Sequence, residues 1–294
     1  MTLILTFPDS SERGRKLADA MGIESVPVEY KMFPDGEDYV RVPVEVKDRD
    51  VIVLSDLYPE QDRKIFRTLL LIDALRDLGA RRIFLVCPYL AYSRQDRRFR
   101  DGEAISLKTL VKVFEDLGAD YIVTVDVHKP QAFYGSKAKC INVEPFEKYA
   151  RYVRENIGDD VIVLSPDIGS LWRAEKIAKI LGTSYDYFEK YRDRVTGQIT
   201  MRPRQVDVRD RKVLIIDDII ATGGTIREAT KILKNMGARE IHVIATHCQF
   251  LNNADKKIID EGVKSIMCSD TIECNHSKIT IFDIIAEHLR KLIT

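Results

Sequence analysis

The sequence predicts an α/β protein built from two tandem domains, each with a mostly parallel central sheet between helices. Three features carry that expectation: apolar runs that do not alternate, helical stripes between them, and a stretch of sequence that occurs twice. The 294 residues suit two domains of roughly 150 residues each.

The strand runs fall, in chain order, at 3–6, 51–54, 83–86, 121–125, 161–164, 213–216 and 241–245. Each is apolar at successive positions, the pattern of parallel strands covered on both faces. Between them, Ile65, Phe66, Leu69, Ile72 and Leu75 share one helical stripe. Leu107, Leu110, Val111, Phe114 and Leu117 share a second, and Ile226, Ala229, Ile232, Leu233 and Met236 a third. Gly79, Gly118 and Gly237 each precede an alanine at a helix end, where glycine takes the left-handed position that closes the helix. VIVLSD at 51 matches VIVLSP at 161. VIVLSDLYPEQDR at 51 also aligns with VLIIDDIIATGGT at 213, followed by GARRIFLV and GAREIHVI. Both coincidences predict a duplicated unit, with domains at 1–145 and 146–294. The last helix, 281–293, is apolar enough to pack against something, the N-terminal domain included.

Lys plus Arg and Asp plus Glu both number 46, a formal charge of zero. That balance argues against a protein that grips nucleic acid through bulk positive charge. The longest apolar stretch, 83–92, is broken by Pro88 and falls short of the ~20 residues of a membrane helix. Asp9, Glu12 and Arg13 follow the apolar start at once, unlike a signal peptide. The expectation is a cytoplasmic protein with neither membrane nor nucleic acid as partner. The five cysteines contain no CxxC pair, so neither disulfides nor a zinc site through Cys268, Cys274 and His276 is expected. Cys87 and Cys248 read as small buried apolar residues.

The strongest chemical signal is VLIIDDIIATGGTIREATKIL. A buried strand ends in Asp217 and Asp218. The turn Ala221, Thr222, Gly223, Gly224, Thr225 follows, and a helix is expected from Ile226. Open parallel sheets bind ligands at the carboxyl ends of their strands. Glycines let backbone N–H groups converge, and a helix N-terminus favours an anion. Two carboxylates just upstream suit sugar hydroxyls, because they only accept hydrogen bonds at neutral pH. The arrangement reads as a ribose 5-phosphate pocket. The plain structural alternative is a Gly-rich turn capped by Thr225 with two solvent-facing aspartates. Neither GxxxxGK[ST] nor GxGxxG after the first strand occurs, which excludes a P-loop and a dinucleotide site.

This segment resembles the phosphoribosyl pyrophosphate loop of the type I phosphoribosyltransferase fold. FPDGE at 33–37, PYLAYSRQDR at 88–97, VDVH at 125–128 and SPDIGSLWRA at 165–174 follow the order seen in ribose-phosphate diphosphokinases. The resemblance covers nearly the whole chain. It implies two tandem type I phosphoribosyltransferase-like domains, the N-terminal one without its own ribose-phosphate loop. It implies transfer of the β,γ-diphosphoryl group of ATP to the 1-hydroxyl of ribose 5-phosphate.

The resemblance also distributes roles. Arg94, Gln95, Asp96, Arg97 and His128 bind ATP. Phe33, Asp35 and Glu37 recognise adenine from a neighbouring subunit of a homodimer or larger assembly. His128 and Asp167 associate with magnesium, although magnesium prefers oxygen ligands. Lys190 and Arg192 sit on a mobile loop that meets the reacting phosphates. Asp217, Asp218, Ala221, Thr222, Gly223, Gly224 and Thr225 bind ribose 5-phosphate. Ala221 stands where many bacterial members carry a third acidic residue. A phosphoribosyltransferase that consumes the diphosphate product shares the 217–225 loop, but it does not account for a second domain, RQDR or His128. A non-catalytic paralogue would keep the fold and lose site residues, which this chain retains.

Overall fold

The computed structural model describes residues 2–192 and 199–293, with side chains for 2–189 and 203–293. The chain divides into one compact unit of Met1–Val143 with Ile281–Thr294, and a second of Glu144–Thr280.

The first unit runs β1 (Thr2–Thr6), α1 (Ser11–Met21), β2 (Ser25–Pro27), β3 (Glu29–Met32), β4 (Asp38–Arg41), β5 (Asp50–Leu54), α2 (Gln61–Asp77), β6 (Arg82–Cys87), α3 (Ser106–Asp116), β7 (Tyr121–Val125) and β8 (Lys139–Val143). Its sheet has the order β2-β1-β5-β6-β7-β8, all parallel. β3 and β4 form a separate antiparallel hairpin.

The second unit runs α4 (Phe146–Asn156), β9 (Val161–Ser165), α5 (Leu171–Leu181), β10 (Tyr185–Arg192), β11 (Ile199–Pro203), β12 (Lys212–Ile220), α6 (Gly224–Asn235), β13 (Glu240–Cys248), α7 (Ala254–Glu261), β14 (Ser265–Ser269) and β15 (Ser277–Ile279). Its sheet order is β11-β10-β9-β12-β13-β14-β15. Only the β10–β11 pair is antiparallel, a hairpin at one edge. The last helix, α8 (Phe282–Ile293), belongs to the first unit, where Phe282, Ile285 and Leu289 are buried beside β1 and β5 residues. Each such side chain contributes roughly 1.5–3 kcal/mol by leaving water.

The two sheets are superimposable in order: β1, β5, β6, β7 and β8 take the places of β9, β12, β13, β14 and β15. That decides between the two sequence coincidences. VIVLSD forms β5 and VIVLSP forms β9, which occupy different sheet positions, so their likeness is only that of two buried strands. The alignment of Val51 with Val213 joins equivalent strands, and it extends upstream to VKDR at 46–49 and VRDR at 208–211. Asp48 (φ 57°) donates its N–H to Gly79 at 2.9 Å, and Asp210 (φ 54°) donates to Gly237 at 2.8 Å.

Four sequence readings need correction. The β12 ladder continues beyond Ile216 through both aspartates, because Ile219 and Ile220 still pair with His247 and Cys248. Helix α6 begins at Gly224 rather than Ile226, with Gly223 (φ 72°) as its cap and no Thr225 side-chain cap. Helix α2 buries Lys64, Arg67, Thr68, Leu71, Ile72 and Leu75, leaving Phe66 56% exposed. Arg67 makes this face tolerable: its guanidinium lies 4.2 Å from the Phe7 ring centroid and hydrogen-bonds both Asp9 oxygens. A paired, ring-stacked cation is invisible to an apolar periodicity.

Cys248 and Cys268 are joined as a disulfide across neighbouring strands, their Cα atoms 6.3 Å apart. The sequence spacing of the cysteines carried no sign of this pairing, which arises from adjacency of β13 and β14. It also removes Cys268 from any metal site.

Candidate active site

In the second unit, the candidate residues gather at the carboxyl edge of the sheet. Asp167 follows β9, the acidic pair lies near the carboxyl end of β12, and Lys190 and Arg192 lie on β10, with β9 between β10 and β12. The side chains of Lys190 and Arg192, and residues 193–198, lie outside the described residues.

The loop after β12 is held from behind by main chain. The Ile220 carbonyl accepts from the Gln249 and Phe250 N–H groups, and the Ala221 carbonyl accepts from Leu251 at 2.9 Å. Gly223 is buried against α7, and a Cβ there would lie 2.9 Å from Ile258 Cδ1. A side chain at 223 would therefore meet both steric conflict and an unfavourable φ. Thr222, Gly224 and Thr225 remain exposed. The N–H groups of the first helical turn lack intrahelical partners, so the head of α6 presents donors and partial positive charge to an anion.

Asp217 is half-buried and Asp218 is 3% exposed. Asp217 accepts from the Asp218 N–H at 2.9 Å, and Asp218 accepts from the Ile219 N–H at 2.9 Å. Burial, followed by the neighbouring Asp218 charge, pushes the Asp217 carboxyl well above its usual range, with Arg173 opposing. Arg173, on α5, is wholly buried and stands 3.6 Å from Asp218 Oδ2. The SPDIGSLWRA motif contains this arginine, but nothing in the sequence distinguishes it from a surface helix residue. Asp167 caps the short turn before α5, accepting from the Ser170 N–H at 3.0 Å through Oδ1, and its side chain is exposed.

In the first unit, the basic loop and His128 leave the carboxyl ends of adjacent strands, β6 and β7. Arg94, Gln95 and Arg97 are exposed and Asp96 half-buried. The loop is internally tied. Glu103 accepts from the Phe99 and Arg100 N–H groups, Ser106 donates to Gln95 Oε1 at 2.6 Å, and Arg97 lies over the Phe99 ring. His128 is half-buried, just after Asp126 in a left-handed conformation. Phe33, Asp35 and Glu37 form the tip of the β3–β4 hairpin, all exposed. The Gly36 N–H closes the turn on the Phe33 carbonyl at 2.9 Å, with Gly36 at φ 94°. Arg63 of α2 anchors the hairpin by donating to Asp38 at 3.0 Å.

Of the remaining histidines, His242 bonds Ser265, His247 bonds Thr271 and His288 bonds the Ile284 carbonyl, all as structural partners. Among the described residues no three His, Cys, Asp or Glu side chains are grouped to hold a metal ion, and no helix is long and apolar enough to cross a membrane.

Residues 2–118 match the family described as the N-terminal domain of ribose phosphate pyrophosphokinase, and residues 146–280 match the phosphoribosyl transferase domain. A ribose-phosphate pyrophosphokinase of Saccharolobus solfataricus is 39% identical over 91% of this chain and 92% of its own. That of Methanopyrus kandleri is 35% identical over 99% of both chains. The crystal structure of phosphoribosylpyrophosphate synthetase from Mycobacterium smegmatis superposes with a TM-score of 0.91 at 26% identity, covering 99% of this chain and 98% of that one.

Proposed function

Because the chain belongs to the ribose-phosphate pyrophosphokinase family, we propose that its second unit holds ribose 5-phosphate and its first unit holds ATP. The enzyme converts these substrates to 5-phosphoribosyl 1-diphosphate and AMP. The ribose 1-hydroxyl oxygen attacks the β-phosphorus. The bond from that phosphorus to the bridging α–β oxygen breaks, AMP leaves with the oxygen, and the hydroxyl proton passes to water. Positioning and electrostatics dominate such a transfer.

The 5-phosphate sits at the head of α6, taking N–H groups of Gly224 and Thr225 and the hydroxyls of Thr222 and Thr225. Gly223 keeps the turn tight, and Ala221 contributes only main chain. Asp217 and Asp218 accept from the ribose hydroxyls. The observation that carries this reading is the exposed, donor-rich start of α6, joined by one short turn to the strand that carries the acidic pair.

On the nucleotide side, Phe33 stacks on adenine, and Asp35 and Glu37 accept from its amine. Arg94, Gln95, Asp96, Arg97 and His128 hold the triphosphate. The hairpin tip reaches ATP from a neighbouring subunit, making the active unit a homodimer or larger, in the cytoplasm. Lys190 and Arg192 close over the reacting phosphates and exclude water. Magnesium arriving with ATP supplies neutralising charge when bound. The exposed Asp167 carboxylate offers the oxygen donors that ion prefers, whereas His128 suits a hydrogen bond to a hydrated ion better than direct ligation.

An assay that resolves AMP from ADP tests the assignment. AMP formation that depends on ribose 5-phosphate is expected. ADP as the nucleotide product would mean an ordinary kinase and would overturn it.

A further inference from the structure

Arg173 is wholly buried and therefore cannot touch substrate, yet it faces Asp218 at 3.6 Å. The first unit repeats the arrangement. Helices α1 and α5 both run 11 residues and both end on a left-handed glycine, Gly22 at φ 71° and Gly182 at φ 73°. The third residue of each is arginine, Arg13 and Arg173. Asp56 stands in the β5 repeat where Asp218 stands in β12, and Arg13 pairs with Asp56.

The other site features are not repeated. Ser55 takes the place of Asp217, and Glu60 (φ 61°) heads α2 where Gly223 heads α6. The arginine–aspartate pair thus recurs in both units where a strand meets the preceding helix, whereas the second aspartate and the glycine turn occur in one unit only. Resting on the reading that this loop binds ribose 5-phosphate, we propose that Arg173 is a positioning residue for the sugar site: it fixes the Asp218 carboxylate from beneath. The pair Arg13–Asp56 is its silent counterpart.

The test is a double-mutant cycle of Arg173→Met and Asp218→Asn, with Arg173→Lys and Arg13→Met alongside, read as KM for each substrate, kcat and thermal unfolding. Arg173→Met is expected to raise KM for ribose 5-phosphate about tenfold while KM for ATP stays within about twofold, the scale of one charge-assisted contact. Arg173→Lys falls between, and the double variant is no worse than Asp218→Asn alone, because Arg173 acts through Asp218. Arg13→Met lowers thermal stability and leaves KM for ribose 5-phosphate unchanged. A folded Arg173→Met with unchanged KM, or effects that multiply in the double variant, overturns the proposal. Should Arg173→Met fail to fold, Arg173→Lys takes its place in the cycle under the same criteria. An unaltered ribose 5-phosphate response in Asp218→Asn removes the sugar-site reading and this proposal together; a raised KM there, with none in the Arg173 variants, removes this proposal alone.

Discussion

Replacing Asp217 by asparagine removes one of two carboxylates crowded at the end of β12 and keeps an oxygen to accept from the Asp218 N–H. Burial and the adjacent Asp218 charge raise the Asp217 carboxyl above its unfolded value. The folded state therefore binds the proton more tightly than the unfolded one, and stability falls as pH rises from the unfolded value, about 4, through the folded one. The penalty is therefore larger at pH 8 than near pH 4. Relief of such a functional-site penalty is typically worth about 1–2 kcal/mol, or roughly 3–6 °C in unfolding temperature. Asp217→Asn is thus expected to be more stable than the parent at pH 8 without ligand, to lose that advantage towards pH 4, and to use ribose 5-phosphate poorly. Calorimetric scans at both pH values, paired with kinetics, read all three. A variant no more stable than the parent at pH 8, or one whose gain is independent of pH, would refute the reasoning.

Asp50 carries the opposite sign. Hydrogen bonds from Arg82, and next from Arg81, hold this buried carboxyl well below the usual carboxylate range. Its stabilisation is present above about pH 4 and lost on acidification, so Asp50→Asn should cost about 3 kcal/mol at pH 7 with the gap closing below pH 4 in denaturant titrations. Lys190→Ala and Arg192→Ala should lower turnover with little change in calorimetric ATP affinity; near-normal turnover in both rejects their place on a lid. Mixing inactive Phe33→Ala/Glu37→Ala and Lys190→Ala/Arg192→Ala chains should restore activity, because one mixed site then receives both sets of residues intact; confirmed subunit exchange without activity rejects the shared site.

The chain's own pattern determined the alternation of buried parallel strands and helices, the Gly-Ala helix ends and the Gly-rich turn that leads into α6. Each is a local signal. A fully buried strand needs consecutive apolar residues, a left-handed cap needs glycine, and a phosphate cradle needs a Gly-rich turn before a helix. At Gly79, Gly118 and Gly237 the positive φ angles follow directly from that chemistry. The duplication was visible too, although only the sheet order shows that β5 corresponds to β12 and not to β9.

Tertiary structure decided what depends on partners distant in sequence. Arg67 occupies a buried helix face because Phe7, Tyr30 and Asp9 converge on it from other elements. Cys248 meets Cys268 because β13 and β14 are neighbours. Arg173 lies under Asp218 because α5 packs where β12 ends, and its copy Arg13 does the same for Asp56. A charge can be buried only where its partner is also placed, and that placement is a property of the folded sheet rather than of any local stretch of sequence.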